Sequence, residues 1–364
     1  MRANSNPQLI GSFPYAPGQN PYQHLITAAI ESAGNIVNRI PPSKWLPLQK
    51  AISSNCDILH LDWPHDWYNG KNLALRTLKT AMYRWGLKTL KEKPVIWTAH
   101  NLVSHDCCNL QREQKMIQLL INQCQGIMVM SDSARDELYQ HYRVPSYTEV
   151  RKIYHGHYID CYKNELSREE ARKKLSIEQS AFVYLSIGSI QPYKGHRELI
   201  DVFSEISKPE DVLMIAGGGN KHFLKQVQDQ IKSSSGQGKI KLIPRFIPDD
   251  ELQFFFNAAD VSVFPFKKVL NSGSIMLAMG FGSPIVAPRL GSIPEVVIPS
   301  HYYGYSPLNE SLEGLKTALK NAKRETHGNR KFEKTKRELI DCVRRRYDWS
   351  KIGIELSNWY REIT

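Results

Sequence analysis

Cysteine is scarce and carries no pattern. Cys56, Cys107, Cys108, Cys124, Cys161 and Cys342 show no metal-ligand spacing, and adjacent Cys107 and Cys108 are not the CxxC of a zinc or dithiol site. Free thiols in a reducing compartment are the expectation. Long apolar runs are missing as well. No stretch of eighteen apolar residues occurs and MRANSNPQLIGSF has no apolar core, so neither a membrane span nor a signal peptide is expected. Glycine (22) and proline (20) stay at ordinary levels, which excludes fibrous and disordered classes. Acidic residues are in deficit: 36 Asp and Glu face 48 Lys and Arg, a net charge of +12. That imbalance calls for an anionic partner, whether nucleic acid, an acidic membrane or a phosphorylated substrate.

What is present, over 364 residues, is room for two domains and a repeated strand–loop–helix pattern that predicts parallel sheets covered on both faces. In the first half, strands are read at Gln8 to Gly11, Val37 to Ile40, Asp57 to Leu61, Pro94 to Thr98, Gly126 to Met130 and Arg151 to Tyr154. Polar groups crowd two strand ends. One is Asp62-Trp63-Pro64-His65-Asp66-Trp67-Tyr68, the other Ala99-His100-Asn101 through His105-Asp106. The carboxyl ends of parallel strands are where such sheets hold ligands. His155 and His157 stand two apart with no third ligand nearby, so no metal site is expected. Residues 71–93 read as a helix carrying Lys71, Arg76, Lys79, Arg84, Lys88, Lys91 and Lys93 among Leu and Trp, a composition suited to an anionic membrane surface.

The polar stretch from Tyr162 to Ser180, with Ser167 and Glu170 spaced as a capping box, marks the domain boundary. Beyond it, Ala181 to Ile187 restarts a buried strand, followed by a loop with Ser189, Lys194 and Gly195. A triple glycine, Gly217 to Gly219, is not the GxGxxG of a dinucleotide site. The densest stretch runs from Asp260 to Ile298. A short strand ends at Pro265, Asn271-Ser272-Gly273-Ser274 opens an apolar helix from Ile275 to Phe281, and a second strand follows at Ile285. Unpaired N–H groups at such a helix start suit a phosphate, although serine and glycine there also serve as ordinary caps.

Read together, IGSIQPYKGHRELI, LMIAGGG, KLIPRFIPDDELQFFFNAADVSVFPF, AMGFGSPIVAPRLGSIPEVV and WTAHN resemble nucleotide-sugar glycosyltransferases of the B fold. That resemblance implies an α/β chain of two facing Rossmann-like domains with a cleft between them. The first would be residues 1–160, completed by a C-terminal helix at 347–364, and the second, holding the donor, residues 161–346. It implies donor contacts from Lys194, Ser189, Gly218, Arg245, Phe246, Ile247, Asn271, Ser272, Gly273, Ser274 and Glu295. The retaining branch carries two glutamates flanking the helix start; Val269 and Leu277 stand there instead. The chain is therefore similar to inverting β-mannosyltransferases of bacterial exopolysaccharide synthesis, which the Asn20-Pro21-Tyr22 loop and His155-Gly156-His157-Tyr158 also resemble.

Inversion is a single displacement that needs one proton acceptor. Asp62 is the first candidate because it directly ends a strand; His100, Asp106, His105, His65 and Asp66 follow. The resemblance further implies GDP-mannose as co-substrate with no metal or other cofactor, and a polyprenyl-diphosphate-linked saccharide as acceptor at the cytoplasmic face of the membrane. A retaining enzyme using a UDP-sugar is the alternative within enzymes, and a basic nucleic-acid-binding protein outside them. Zinc-finger, RNA-binding and helix-turn-helix motifs are all missing, which counts against the last.

Overall fold

Continuous apolar runs with β-branched residues dictate the frame. The computed structural model describes residues 6–16, 18, 20–43, 48–90, 93–104, 109–307, 311–327 and 332–364. It forms two units, one ending at Gly156 and regaining Tyr347–Thr364, the other His157–Arg346.

In the first unit the strands are β1 (Leu9–Phe13), β2 (Ile36–Arg39), β3 (Ile58–Leu61), β4 (Val95–Thr98), β5 (Gly126–Val129) and β6 (Glu149–Lys152). The helices between them are α1 (Tyr22–Ser32), α2 (Gln49–Ser53), α3 (His65–Tyr68), α4 (Leu73–Thr89), α5 (Leu110–Ile121) and α6 (Asp132–His141). All pairings are parallel, in the order β2-β1-β3-β4-β5-β6. Every residue of β3, β4 and β5 is buried, as a sheet covered on both faces requires.

The second unit repeats the plan with β7 (Phe182–Ile187), β8 (Asp211–Ala216), β9 (Lys239–Ile243), β10 (Val261–Val263), β11 (Ile285–Pro288) and β12 (Tyr302–Tyr305). Its helices are α7 (Arg168–Lys174), α8 (His196–Ile206), α9 (Lys221–Ser233), α10 (Leu252–Ala258), α11 (Gly273–Gly280), α12 (Ile293–Val296), α13 (Ser311–Thr326) and α14 (Phe332–Arg346). The order is β12-β11-β10-β7-β8-β9, again parallel. The capping box expected at Ser167 and Glu170 forms. It starts α7, whose fully buried Arg172 donates to Asp260 Oδ2 at 2.9 Å, an oxygen that also accepts from Val183 N–H.

The last helix, α15 (Trp349–Ile363), packs into the first unit. Ile352, Leu356, Trp359 and Tyr360 join Ile10, Ile58, Ile96 and Met128 in one core. Two glycines admit it: a Cβ on Gly126 would stand 2.6 Å from the Trp359 ring, and one on Gly353 2.1 Å from the Ala29 carbonyl oxygen.

Two expectations need correction. The basic helix is α4 alone, shorter than 71–93, because the Asn72 side chain caps it by accepting from Leu75 N–H. Helix α11 starts at Gly273, two residues before Ile275, with Ser272 as its cap.

Candidate functional site

Each sheet has one place where neighbouring strands lead off in opposite directions, and the polar residues gather there. In the second unit that place lies between β7 and β10. The loop after β7 carries Lys194, and the loop after β10 carries Asn271 to Ser274. Such a switch point opens a crevice beyond the strand ends.

Glycine lets the two loops meet. Gly195 has φ +72°, and a Cβ on it would lie 1.9 Å from the Pro265 carbonyl oxygen. Lys267 N–H donates to the Tyr193 carbonyl at 2.8 Å. A Cβ placed on Gly188 would stand 3.2 Å from both Lys194 Nζ and Ser274 Oγ, so the lysine and the turn border one small space. Lys194 Nζ sits 5.5 Å from the centre of the Phe266 ring and pairs with no carboxylate among the described residues. Burial lowers its pKa to about 8. Ser272 Oγ accepts from Ile275 N–H, which leaves the N–H groups of Gly273 and Ser274 without an acceptor among the described residues. A desolvated cation and two N–H groups at a helix start are groups that can hold an anion.

The other expected donor residues spread around this space. A Cβ on Gly218 would be 3.5 Å from Phe246 N, so the triple-glycine turn adjoins the 245–247 loop. Phe246 is half exposed, Ile247 is buried and Arg245 pairs with Glu251. Ser189 is exposed, while Glu295 is half-buried on α12. Sequence reasoning assigned no role to Tyr158, whose hydroxyl would stand 3.7 Å from a Cβ on Gly273. The HGHY run was its only signal.

In the first unit the switch lies between β1 and β3. Asp62 directly follows β3 and is buried. Its Oδ1 accepts from His100 Nε2 at 2.8 Å. Burial pushes the Asp62 pKa up, yet the His100 hydrogen bond, the nearby His100 and His60 charges and Gln23 outweigh that and hold it below the ordinary value. The His100 side chain is 11% exposed against 4% for Asp62, so the histidine lies above and the carboxylate beneath. Trp63, at φ +32°, stacks on the His100 ring at 4.3 Å and 13°; a bulky residue in that region is strained. Tyr22 meets His100 edge-on at 4.8 Å and His155 at 4.9 Å. Burial drives the His155 pKa down to about 4.

The remaining first-unit candidates do not join this pair. Asp66 is exposed on α3. His65 faces Glu113, with Nδ1 3.2 Å from Oε1. His105 and Asp106 lie outside the described residues. Among the described residues no three His, Cys, Asp or Glu side chains are gathered as a metal set.

Two parallel six-stranded sheets with helices on both faces are the architecture of glycosyltransferases of the B fold. Residues 167–338 match the model of the family described as glycosyl transferases group 1. Among relatives, a GDP-mannose:glycolipid 4-beta-D-mannosyltransferase from Xanthomonas campestris pv. campestris is 25% identical over 280 residues, 74% of this chain and 70% of the relative. A D-inositol 3-phosphate glycosyltransferase from Corynebacterium glutamicum is 23% identical over 66% of this chain and 58% of the relative. The structure is similar to sucrose-phosphate synthase from Thermosynechococcus elongatus, with TM-score 0.71, 17% identity and 98% of both chains covered. It also resembles Anabaena HepE in complex with UDP-glucose, with TM-score 0.70, 16% identity, and 97% of this chain and 99% of that one covered.

Proposed function

We propose that this glycosyltransferase is an inverting hexosyltransferase that moves mannose from GDP-mannose onto a polyprenyl-diphosphate-linked saccharide, forming a β-glycosidic bond in exopolysaccharide assembly. The observation that carries the donor half is Lys194, desolvated and without a carboxylate partner beside the Ser272–Ser274 turn. As the bond from the anomeric carbon to the diphosphate breaks, its electron pair goes to the nucleotide diphosphate. Lys194 and the N–H groups of Gly273 and Ser274 hold the growing charge without a metal. Phe246 covers the base while backbone groups of the 245–247 loop pair with its edge. Mannose, guanine and the lipid acceptor are supported by the similarity to the Xanthomonas enzyme. Inversion is supported by Val269 and Leu277 standing where retaining relatives carry glutamates.

His100 accepts the proton of the attacking hydroxyl, and buried Asp62 fixes the imidazole and stabilises its cation. This reverses the order expected from sequence, because a carboxylate held below its ordinary pKa and lying beneath a histidine is better suited to orienting than to accepting. The acceptor's lipid would hold the enzyme at the cytoplasmic face of the membrane, through the exposed bases and apolar side chains of α4.

Thermal shift against GDP, UDP and ADP tests the donor, since selective binding raises the melting temperature; GDP should stabilise the protein most. Lys194→Ala should lower kcat at saturating donor about 10²-fold or more. His100→Gln and Asp62→Asn should lose transfer while keeping GDP affinity. Selective stabilisation by UDP, or an α-configured product, would overturn the assignment.

A further inference from the structure

We infer that Glu113 is a positioning residue for the Asp62–His100 pair, an inference that rests on the reading of that pair given above. Asp62 and His100 stand on two separate irregular segments, one after β3 and one after β4. The first contains strained Trp63, and in the second the backbone bonds of Ala99 N–H to Met128 and His100 N–H to Thr98 lie at its very start. Farther along, both segments close on one carboxylate.

Glu113 sits on α5 with its side chain 4% exposed. Its Oε1 accepts from Ser104 N–H at 3.2 Å and from the Tyr68 hydroxyl at 3.3 Å, and lies 3.2 Å from His65 Nδ1. Its Oε2 accepts from Ser104 Oγ at 3.1 Å. His65 and Tyr68 belong to α3, which follows Asp62, and Ser104 lies four residues along the loop from His100. One buried group therefore ties the continuation of each member's loop to the same helix. The neighbouring Arg112 strengthens the hold on α3, donating to the Tyr68 carbonyl at 2.6 Å and to Asn69 Oδ1 at 3.1 Å. A buried carboxylate is costly unless its lone pairs are filled. Here they are filled by both loops, and an apolar side chain could not bind an N–H and two hydroxyls. Reacting groups must be held to about 0.5 Å, and a misplacement of about 1 Å costs on the order of 10²-fold in rate.

The test uses the full chain and a readout that needs no substrate. In 15N-labelled protein, Glu113→Ala should broaden the His100 Nε2–H imidazole signal through solvent exchange. The buried His60 signal, held by Thr98 and Tyr360, should stay sharp. In transfer from GDP-mannose to a polyprenyl-diphosphate-linked oligosaccharide, kcat should fall roughly 10- to 100-fold with the donor KM within about twofold. The pH profile of kcat should also move, whereas loss of folded protein alone scales it uniformly. Glu113→Gln, which keeps an oxygen for Ser104 N–H and Tyr68, should recover most of the rate. If Glu113→Ala does not fold, Ser104→Ala removes one leg and should give the same changes in smaller measure. A sharp His100 signal with an unmoved pH profile in the variant that folds sinks this inference. A broadened signal alongside normal transfer by Asp62→Asn and His100→Gln instead sinks the reading of the pair as the base.

Discussion

Lys194 carries a charge that its surroundings disfavour until an anion arrives. Its ordinary pKa is 10.5, and burial lowers it to about 8. Between those values the unfolded chain holds a proton that the folded chain does not, so this residue makes stability rise with pH through that window. Diphosphate binding has the opposite sign, because it needs the charged form. GDP affinity should be flat below about pH 8 and fall by up to about tenfold per pH unit above it. Calorimetry near pH 8 in two buffers of different ionisation enthalpy should detect proton uptake. Lys194→Ala should abolish both effects, and an unchanged pH slope in that variant counts against the assignment. Lys194 was legible in the sequence because its cue is local, a lysine between a strand end and a glycine. The order proposed within the Asp62–His100 pair was not: both residues follow strands, and only packing leaves the carboxylate the more buried of the two. Glu113 was invisible for a similar reason, being one acid in an ordinary amphipathic helix whose meaning comes from what folds over it.

At the scale of elements, α4 shows how far charge patterning reaches. The excess of bases was readable, but the direction in which the helix faces was not, since apolar residues lie on both sides. Tyr83, Gly86 and Leu87 face inward. Leu73 is 75% exposed, Leu78 51% and Trp85 54%, with Ala74 and Ala81 completing an outward stripe. Lys71, Arg84 and Lys88 are exposed around it, whereas Arg76 and Lys79 are half-buried. Lys79 Nζ donates to the Asp66 carbonyl at 3.0 Å. The outward surface is therefore apolar with a basic margin, the composition that enters a headgroup layer. Vesicles containing anionic lipid should bind the protein and shift Trp85 fluorescence to the blue. Neutralising Arg84 and Lys88 should weaken binding by about 1 kcal/mol each, and Leu78→Ser should weaken it further. Neutralising Arg76 and Lys79 should matter less. Equal affinity for neutral and anionic vesicles rules out this surface as the docking face.

At the scale of the whole chain, the order of synthesis and the order of packing disagree. The second unit has its own core, built from Phe182, Leu213, Ile215, Val261 and Leu319 among others. The first unit lacks part of its core until the last fifteen-residue helix is made. Trp359 shows the dependence most clearly. It is fully buried, lies over Gly126, and its Nε1–H donates to Glu149 Oε2 at 2.8 Å. In the next residue, the Tyr360 hydroxyl lies 2.5 Å from His60 Nδ1, on the strand that delivers Asp62. Trp359→Ala should therefore cost about 3–5 kcal/mol, a large share of an ordinary domain's stability of about 5–15 kcal/mol. That loss should fall on the unit that holds Asp62 and His100. Calorimetric scans should show a transition moved to lower temperature, and transfer should fail at temperatures the unaltered enzyme tolerates. GDP binding, which uses Lys194 and the Ser272–Ser274 turn in the other unit, should keep its dissociation constant at temperatures where both units remain folded. A parallel loss of GDP affinity there would mean that the donor site depends on the first unit's core, contrary to the separate cores described above.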